Sequence, residues 1–211
     1  DGTRLRASAQ TTANLNPNWF FKGYVAYGFK DEKMKYLGQV EYSFDKKGYL
    51  PREFPKHSVA VSYQYDNMLP SDKFINTDKD NMFTSLKWAK QTLYNYERKF
   101  TINYEHEREN GLKTSVMLRH ANYEPCGDLF YRTMADEAKL QEAIKLNPAL
   151  VDEGLMHTPY NTKDITVAEA TFGVRFAPGE TFVNTKQRRL PINLDAPVFS
   201  LSHTFGVSGI M

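Results

Sequence analysis

A single cysteine, Cys126, is all the thiol chemistry in the 211 residues, so neither an internal disulfide nor a thiolate metal cluster can form. No run of about eighteen consecutive apolar residues occurs, which excludes a transmembrane helix. Charge of one sign is also missing. Lys and Arg number 27 against 25 Asp and Glu, a net charge of +2 spread along the chain, and this excludes the basic stripe of a nucleic-acid binder. The sequence has no G-x-S-x-G elbow, phosphate loop, dinucleotide fingerprint or H-E-x-x-H. It opens at Asp1 without the charged, apolar and cleavage-site pattern of an export signal, so a processed chain or a piece of a longer protein is expected.

Strand pattern and aromatic residues are present in abundance. Thirteen Tyr, fourteen Phe and two Trp make up 14% of the chain, a composition that suits strands, above all strands ending at a membrane interface. From Met34 to Asp45, Met34, Tyr36, Gly38, Val40, Tyr42 and Phe44 share one parity. Lys35, Leu37, Gln39, Glu41, Ser43 and Asp45 share the other, and Leu37 alone blurs the separation. A period of two over this length is a strand between two unlike environments, and about ten residues cross a bilayer as a tilted strand.

The same alternation recurs along the chain. Strands are predicted over Thr3 to Leu15, Trp19 to Lys30, His57 to Asp66, Met82 to Ala89, Tyr96 to Glu107, Leu112 to Arg119, Thr166 to Phe176 and Phe199 to Ser208. Asn110-Gly111 is the strongest hairpin signal. Between about 124 and 164 the pattern changes to a long loop, inside which Thr133 to Leu146 reads as a helix. Thr133 is placed to cap it, Ala138, Leu140, Ala143 and Ile144 form its apolar positions, and Asn147-Pro148 stops it. Pro178 to Pro197 reads as a polar connection. About nine strands joined mainly as sequential neighbours predict an all-β fold, an antiparallel up-and-down transmembrane β-barrel seen in part. Residues 1–211 would then form part of one outer-membrane barrel domain.

Candidate chemistry is sparse. His57, His106, His120, His157 and His203 are scattered without metal-site spacing, and His106 and His203 read as packed or interfacial residues. Glu105 and Glu107 lie on one strand face, about 7 Å apart, a geometry open to acid–base work. They share that face with Glu97, Lys99 and Asn103, which reads more simply as a hydrated wall. Lys186, Arg188 and Arg189 form a basic cluster able to meet anionic headgroups, and a solvated loop is the simpler reading. Ser71-Asp72-Lys73 and Asp78-Lys79-Asp80 carry oxygens for a cation but lack calcium-loop spacing. No cofactor and no metal are expected. Lys35, Gln39, Glu41, Lys99, Asn103 and Glu105 are the candidate lumen-lining residues, on the parity opposite the aromatics.

Several segments carry a resemblance. Asn18 to Gly28 (NWFFKGYVAYG), Tyr49 to Pro55 (YLPREFP), Pro70 to Phe74 with Thr77 to Asn81, and Pro191 to Pro197 (PINLDAP) are similar to outer-membrane proteins of Bacteroidetes. In those proteins a carboxypeptidase-regulatory-like β-sandwich precedes a domain of unknown function of the DUF5686 type. That domain resembles the surface-antigen barrels of the Omp85 class. The resemblance implies a carboxy-terminal barrel and brings no catalytic residues.

The expected function is therefore non-enzymatic. An integral outer-membrane barrel would act as channel, assembly factor or surface scaffold, with outer-membrane lipid and other envelope proteins as partners and no nucleic acid. The alternative is a soluble β-barrel or sandwich that turns its Tyr and Phe face inward around a small apolar ligand. An enzyme built on such a barrel is a third possibility. Arg at Val40 is expected to be costly in a bilayer and Arg at Glu41 to be tolerated.

Overall fold

A computed structural model describes residues 3–70, 92–148, 161–185, 189–193 and 195–207. The strands are β1 (Arg4–Gln10), β2 (Trp19–Gly28), β3 (Lys33–Ser43), β4 (His57–Met68), β5 (Leu93–Glu107) and β6 (Leu112–Gly127). Helix α1 (Met134–Leu146) follows, then β7 (Ile165–Phe176), β8 (Phe182–Asn184), β9 (Arg189–Pro191) and β10 (Phe199–Gly206). Eight strands form one sheet in the order β1-β2-β3-β4-β5-β6-β7-β10, and β8 pairs with β9 as a separate hairpin. Every pair with a described register is antiparallel. Among the described residues the fold is thus all-β with one short helix, a meander as predicted. Among the described residues the sheet ends at β1 and β10 without a pairing that closes it.

Strand lengths differ from expectation in instructive ways. β1 stops at Gln10, because Asn16-Pro17-Asn18 and the preceding residues are used in a turn whose Asn16 Oδ1 accepts from the Asn18 and Trp19 amides. β6 runs on to Gly127, through the Glu124-Pro125 that reads as its end. Asp128 donates to Thr92 beside β5, so the odd-numbered amide positions of this stretch face the β7 side. Asn122 bonds Asp164 and Thr166 where β7 begins. Pro125 therefore lies beyond β7, where its missing N–H leaves no ladder bond unmade. The connection after Pro178 holds β8 and β9, a hairpin too short to show a period. The strand predicted over Met82 to Ala89, both acidic segments between 71 and 80, His157, Lys186 and Arg188 lie outside the described residues, as does the side chain of Arg189.

Two compact units are distinguished. One comprises Asp1–Tyr65, Arg98–Ala121 and Val167–Met211. Here β2 and β3 pair over their whole lengths, with Gly23 opposite Gly38 and Trp19 opposite Tyr42. Gly111 takes a φ of 78° in the β5–β6 turn, and a Cβ there would run into the Ala177 carbonyl, so glycine is required twice over. The other unit comprises Asp66–Glu97 and Asn122–Thr166. Its helix begins as predicted: Thr133 Oγ1 accepts from the Asp136 amide at 3.1 Å and donates to the Asp136 carboxylate at 2.6 Å. Leu140 anchors the helix, Ala143 and Ile144 are half-buried, and Ala138, expected on the apolar side, is exposed. Arg132 ties the helix start down, pairing with Glu137 at 2.7 Å and bonding Asn161 at 2.8 Å.

Candidate functional site

The site begins with an inversion of burial. In β3 the charged and polar parity is covered: Lys35 is 0% exposed, Glu41 7% and Ser43 0%. The apolar parity is open: Met34, Tyr36 and Val40 are exposed, as is Phe44 beyond the strand end. β2 repeats the open apolar parity, with Phe21, Val25 and Tyr27 exposed, but its other parity covers Phe20, Tyr24, Ala26 and Gly28 and leaves Lys22 exposed. In β4 Val61 and Tyr63 are exposed and Ser58 is buried, and in β7 Phe172, Val174 and Phe176 are exposed. Water drives apolar area inward at about 25 cal/mol per Å². In β3 and the second half of β7 the apolar parity is the more exposed one, the reverse of the burial that water favours.

The polar parity carries one cluster of linked charges and, apart from it, separate ion pairs. Lys56, from the loop after β3, pairs with Glu105 of β5 at 2.6 Å and lies 4.0 Å from Glu41. Lys113 reaches the same Glu105 oxygen at 3.3 Å, and Asn103 donates to its other oxygen at 3.1 Å. Glu41 accepts from Ser58 at 2.8 Å and from Gln39 at 3.4 Å. Lys35 is held by Asp31 at 2.6 Å, Arg119 by Glu169, and Arg175 by both oxygens of Glu180. Covered charges are costly unless paired, and each of these has a partner of opposite charge.

All six candidate lumen residues lie on this parity: Lys35 and Glu41 are buried, and Gln39, Lys99, Asn103 and Glu105 half-buried. Glu41, Gln39, Asn103 and Glu105 are brought into one cluster through Lys56 and Ser58. Lys35 stands apart in its own pair. Lys56 and Lys113, which the sequence reading passed over, complete the cluster. Lys56 lies in a loop and Lys113 on the strand after Glu105, so neither announces the contact from its spacing.

The apolar parity carries two aromatic rows. At one end Trp19 contacts Tyr42 (centroids 4.9 Å apart), Tyr42 contacts Phe44 (5.2 Å), Phe44 stacks on His57 (4.4 Å) and His57 stacks on His106 (4.3 Å). His57 Nε2 and the Tyr104 hydroxyl are 3.1 Å apart. At the other end Tyr27 meets Phe29, Tyr36 packs with Tyr63 and Tyr65, and Arg98 lies over the Tyr65 ring at 5.6 Å. His57 and His106 are remote in sequence, and the start of one strand meets the end of the next, so their stacking was not legible from spacing. Among the described residues no group of three or more His, Cys, Asp or Glu could hold a metal ion. Cys126 is a half-buried free thiol.

The loop Lys46 to Lys56 folds back onto the polar parity. Gly48 and Leu50 donate to the Glu53 carboxylate at 2.8 and 3.2 Å, and Leu50 and Pro51 are buried. The Lys47 ammonium donates to the Glu53 carbonyl at 3.1 Å and to that of Pro55. Burial pushes the Lys47 pKa down, and Asp45 and Glu53 pull it partly back. Tyr49 accepts from the Ala13 amide and Pro17 from that of Lys47, so this loop is tied to the β1–β2 turn at both of these points.

A family model described as the C-terminal domain of a family of unknown function, DUF5686, matches residues 1–211. No curated protein and no solved structure matches the chain.

Proposed function

The chain belongs to the DUF5686 family as its C-terminal domain, and on that premise we propose that it is a membrane-spanning part of an outer-membrane β-barrel. The observation that carries the reading is the inversion of burial. Lipid is the solvent that stabilises exposed Val, Phe and Tyr rows, and a water-filled interior is where paired lysines and glutamates belong. The two aromatic rows add a dimension. Tyr36 and Phe44, one from each row, are eight residues apart, about 26 Å along a strand. A tilt of about 40° reduces this to about 20 Å, within the roughly 25 Å apolar band of a barrel.

The soluble alternative needs the Tyr and Phe parity to face inward around a ligand, and on that parity Phe21, Tyr27, Tyr36, Phe172 and Phe176 are exposed, while Phe20 and Tyr24 are buried on the other. The proposal includes the finer likeness, to Omp85-class surface-antigen barrels of Bacteroidetes, and the partners that go with it, outer-membrane lipid and other envelope proteins. The role proposed is non-enzymatic: channel, assembly factor or surface scaffold.

Fractionation of the native protein tests the reading. It should resist alkaline carbonate and urea washes of outer membranes and leave them only in detergent. Recovery as a monodisperse species in aqueous buffer without detergent would overturn it.

A further inference from the structure

The geometry points to a ligand site on the polar parity for a small polyhydroxy carboxylate of monosaccharide size, such as a hexuronate, beneath the Lys46 to Lys56 loop. A pocket of about 200 Å³ opens there between the sheet and the loop. The register places Gln10 opposite Lys22 and Lys22 opposite Gln39, so one row of the pocket carries an amide, an ammonium and an amide across three adjacent strands. Phe20, opposite Glu41 in the next row, is buried and forms the apolar wall. The loop supplies the roof, with Pro51 buried against it and Arg52 at the mouth.

The distribution of satisfied and open charge identifies the ligand. Nearly every other cation on this parity is already engaged: Lys35 by Asp31, Lys56 and Lys113 by Glu105, Arg119 by Glu169. Lys22 and Arg52 are exposed, and among the described residues neither has an ion pair or hydrogen bond. Two open cations on one pocket call for an anion, and Arg52 offers a fork suited to a carboxylate. The anion cannot be bare phosphate alone, because the rest of the wall would then be unused. Gln10 and Gln39 offer donors and acceptors to hydroxyl groups, and Glu41, whose Oε2 receives only the 3.4 Å bond from Gln39, can accept from one more. Phe20 and Pro51 offer apolar faces to a ring. Carboxylate, hydroxyls and a compact ring together are the description of an acidic sugar.

The site rests on the barrel reading only in making this face the interior. Titration calorimetry on the detergent-purified native protein tests it with glucuronate, glucose and inorganic phosphate as probes, alongside vesicle flotation of the same preparation. Glucuronate should bind at least tenfold more tightly than glucose or phosphate. Arg52→Gln and Lys22→Gln should each weaken it by about tenfold, one lost charge-assisted contact apiece, and Arg52→Lys by less. Both side chains are exposed, so thermal midpoints should stay at the wild-type value. Absence of glucuronate binding, phosphate or glucose binding as well as glucuronate, or full binding by the Arg52→Gln protein would each overturn the site. Flotation without binding sinks the site and leaves the barrel standing. Binding without flotation sinks the barrel and leaves the site.

Discussion

Val40 and Glu41 are neighbours in β3, and the valine is 37% exposed while the glutamate is covered, bonded to Ser58 at 2.8 Å and 4.0 Å from Lys56. That pair of adjacent residues states the whole inversion. It also bears on the expectation that Arg is tolerated at 41. An arginine there would lose the Ser58 bond and set a second cation beside Lys56.

The first prediction follows from this pair. In vesicle-folded protein, Val40→Arg should lower stability by about 2–4 kcal/mol as a cation facing lipid near mid-strand. Glu41→Gln, which keeps the shape and an acceptor for Ser58, should cost about 1 kcal/mol. Urea-unfolding midpoints from lipid vesicles measure both, and equal losses would contradict the face assignment.

The Lys56–Glu105 pair gives a coupling prediction. Glu105→Gln should destabilise by about 1–3 kcal/mol, since it strips Lys56 and Lys113 of their shared partner. Lys56→Gln should cost less, because Lys113 still faces Glu105. The double variant should fall short of the sum by about 0.5 kcal/mol or more, the signature of a direct interaction. Strict additivity in the unfolding midpoints would show that the two side chains do not meet.

Trp19 stands in one aromatic row, so its depth is predicted. In a Trp88→Phe background, leaving Trp19 as the only tryptophan, nitroxide lipids labelled close to the headgroup should quench its fluorescence more than lipids labelled at mid-chain. Stronger quenching from mid-chain would displace the girdle.

The helix cap predicts an acid response. Hydrogen bonds from Thr133 and Lys139 hold the Asp136 carboxyl below the usual value near 3.8. A depressed folded pKa stabilises above that usual value, and the contribution disappears as pH falls through the folded pKa. Amide exchange in the first turn of α1 should therefore quicken below about pH 4 beyond its intrinsic trend. Thr133→Ala should quicken it at neutral pH, by about 1 kcal/mol of local stability. Unchanged exchange in that variant would show that the cap is idle.

Period-two strands such as β2, β3 and the lower part of β5 were legible because alternation is local and each residue reports its own face. The Thr133 cap and the Asn110-Gly111 turn were legible for the same reason. The extension of β6 through Pro125 was hidden, because a proline reads as a stop unless the end of the neighbouring strand is known. Three-residue strands such as β8 and β9 are shorter than any period. In the site, the candidate residues Gln39, Glu41, Asn103 and Glu105 could be assigned to a face, whereas Lys56, Lys113 and the His57–His106 stack depend on which strand ends meet. Loop chemistry was the least readable. Nothing in YLPREFP announces that Pro51 and Arg52 line a pocket with Lys22.

A nitroxide scan of residues 34–44 in vesicle-reconstituted protein, with Cys126 replaced by Ser, tests the central claim most directly. Labels at Met34, Tyr36, Gly38, Val40, Tyr42 and Phe44 should be relaxed mainly by oxygen dissolved in lipid. Those at Lys35, Leu37, Gln39, Glu41 and Ser43 should be relaxed mainly by a water-soluble nickel chelate, giving an alternation of period two. Nickel access equal at both parities, or an alternation of the opposite phase, would contradict it.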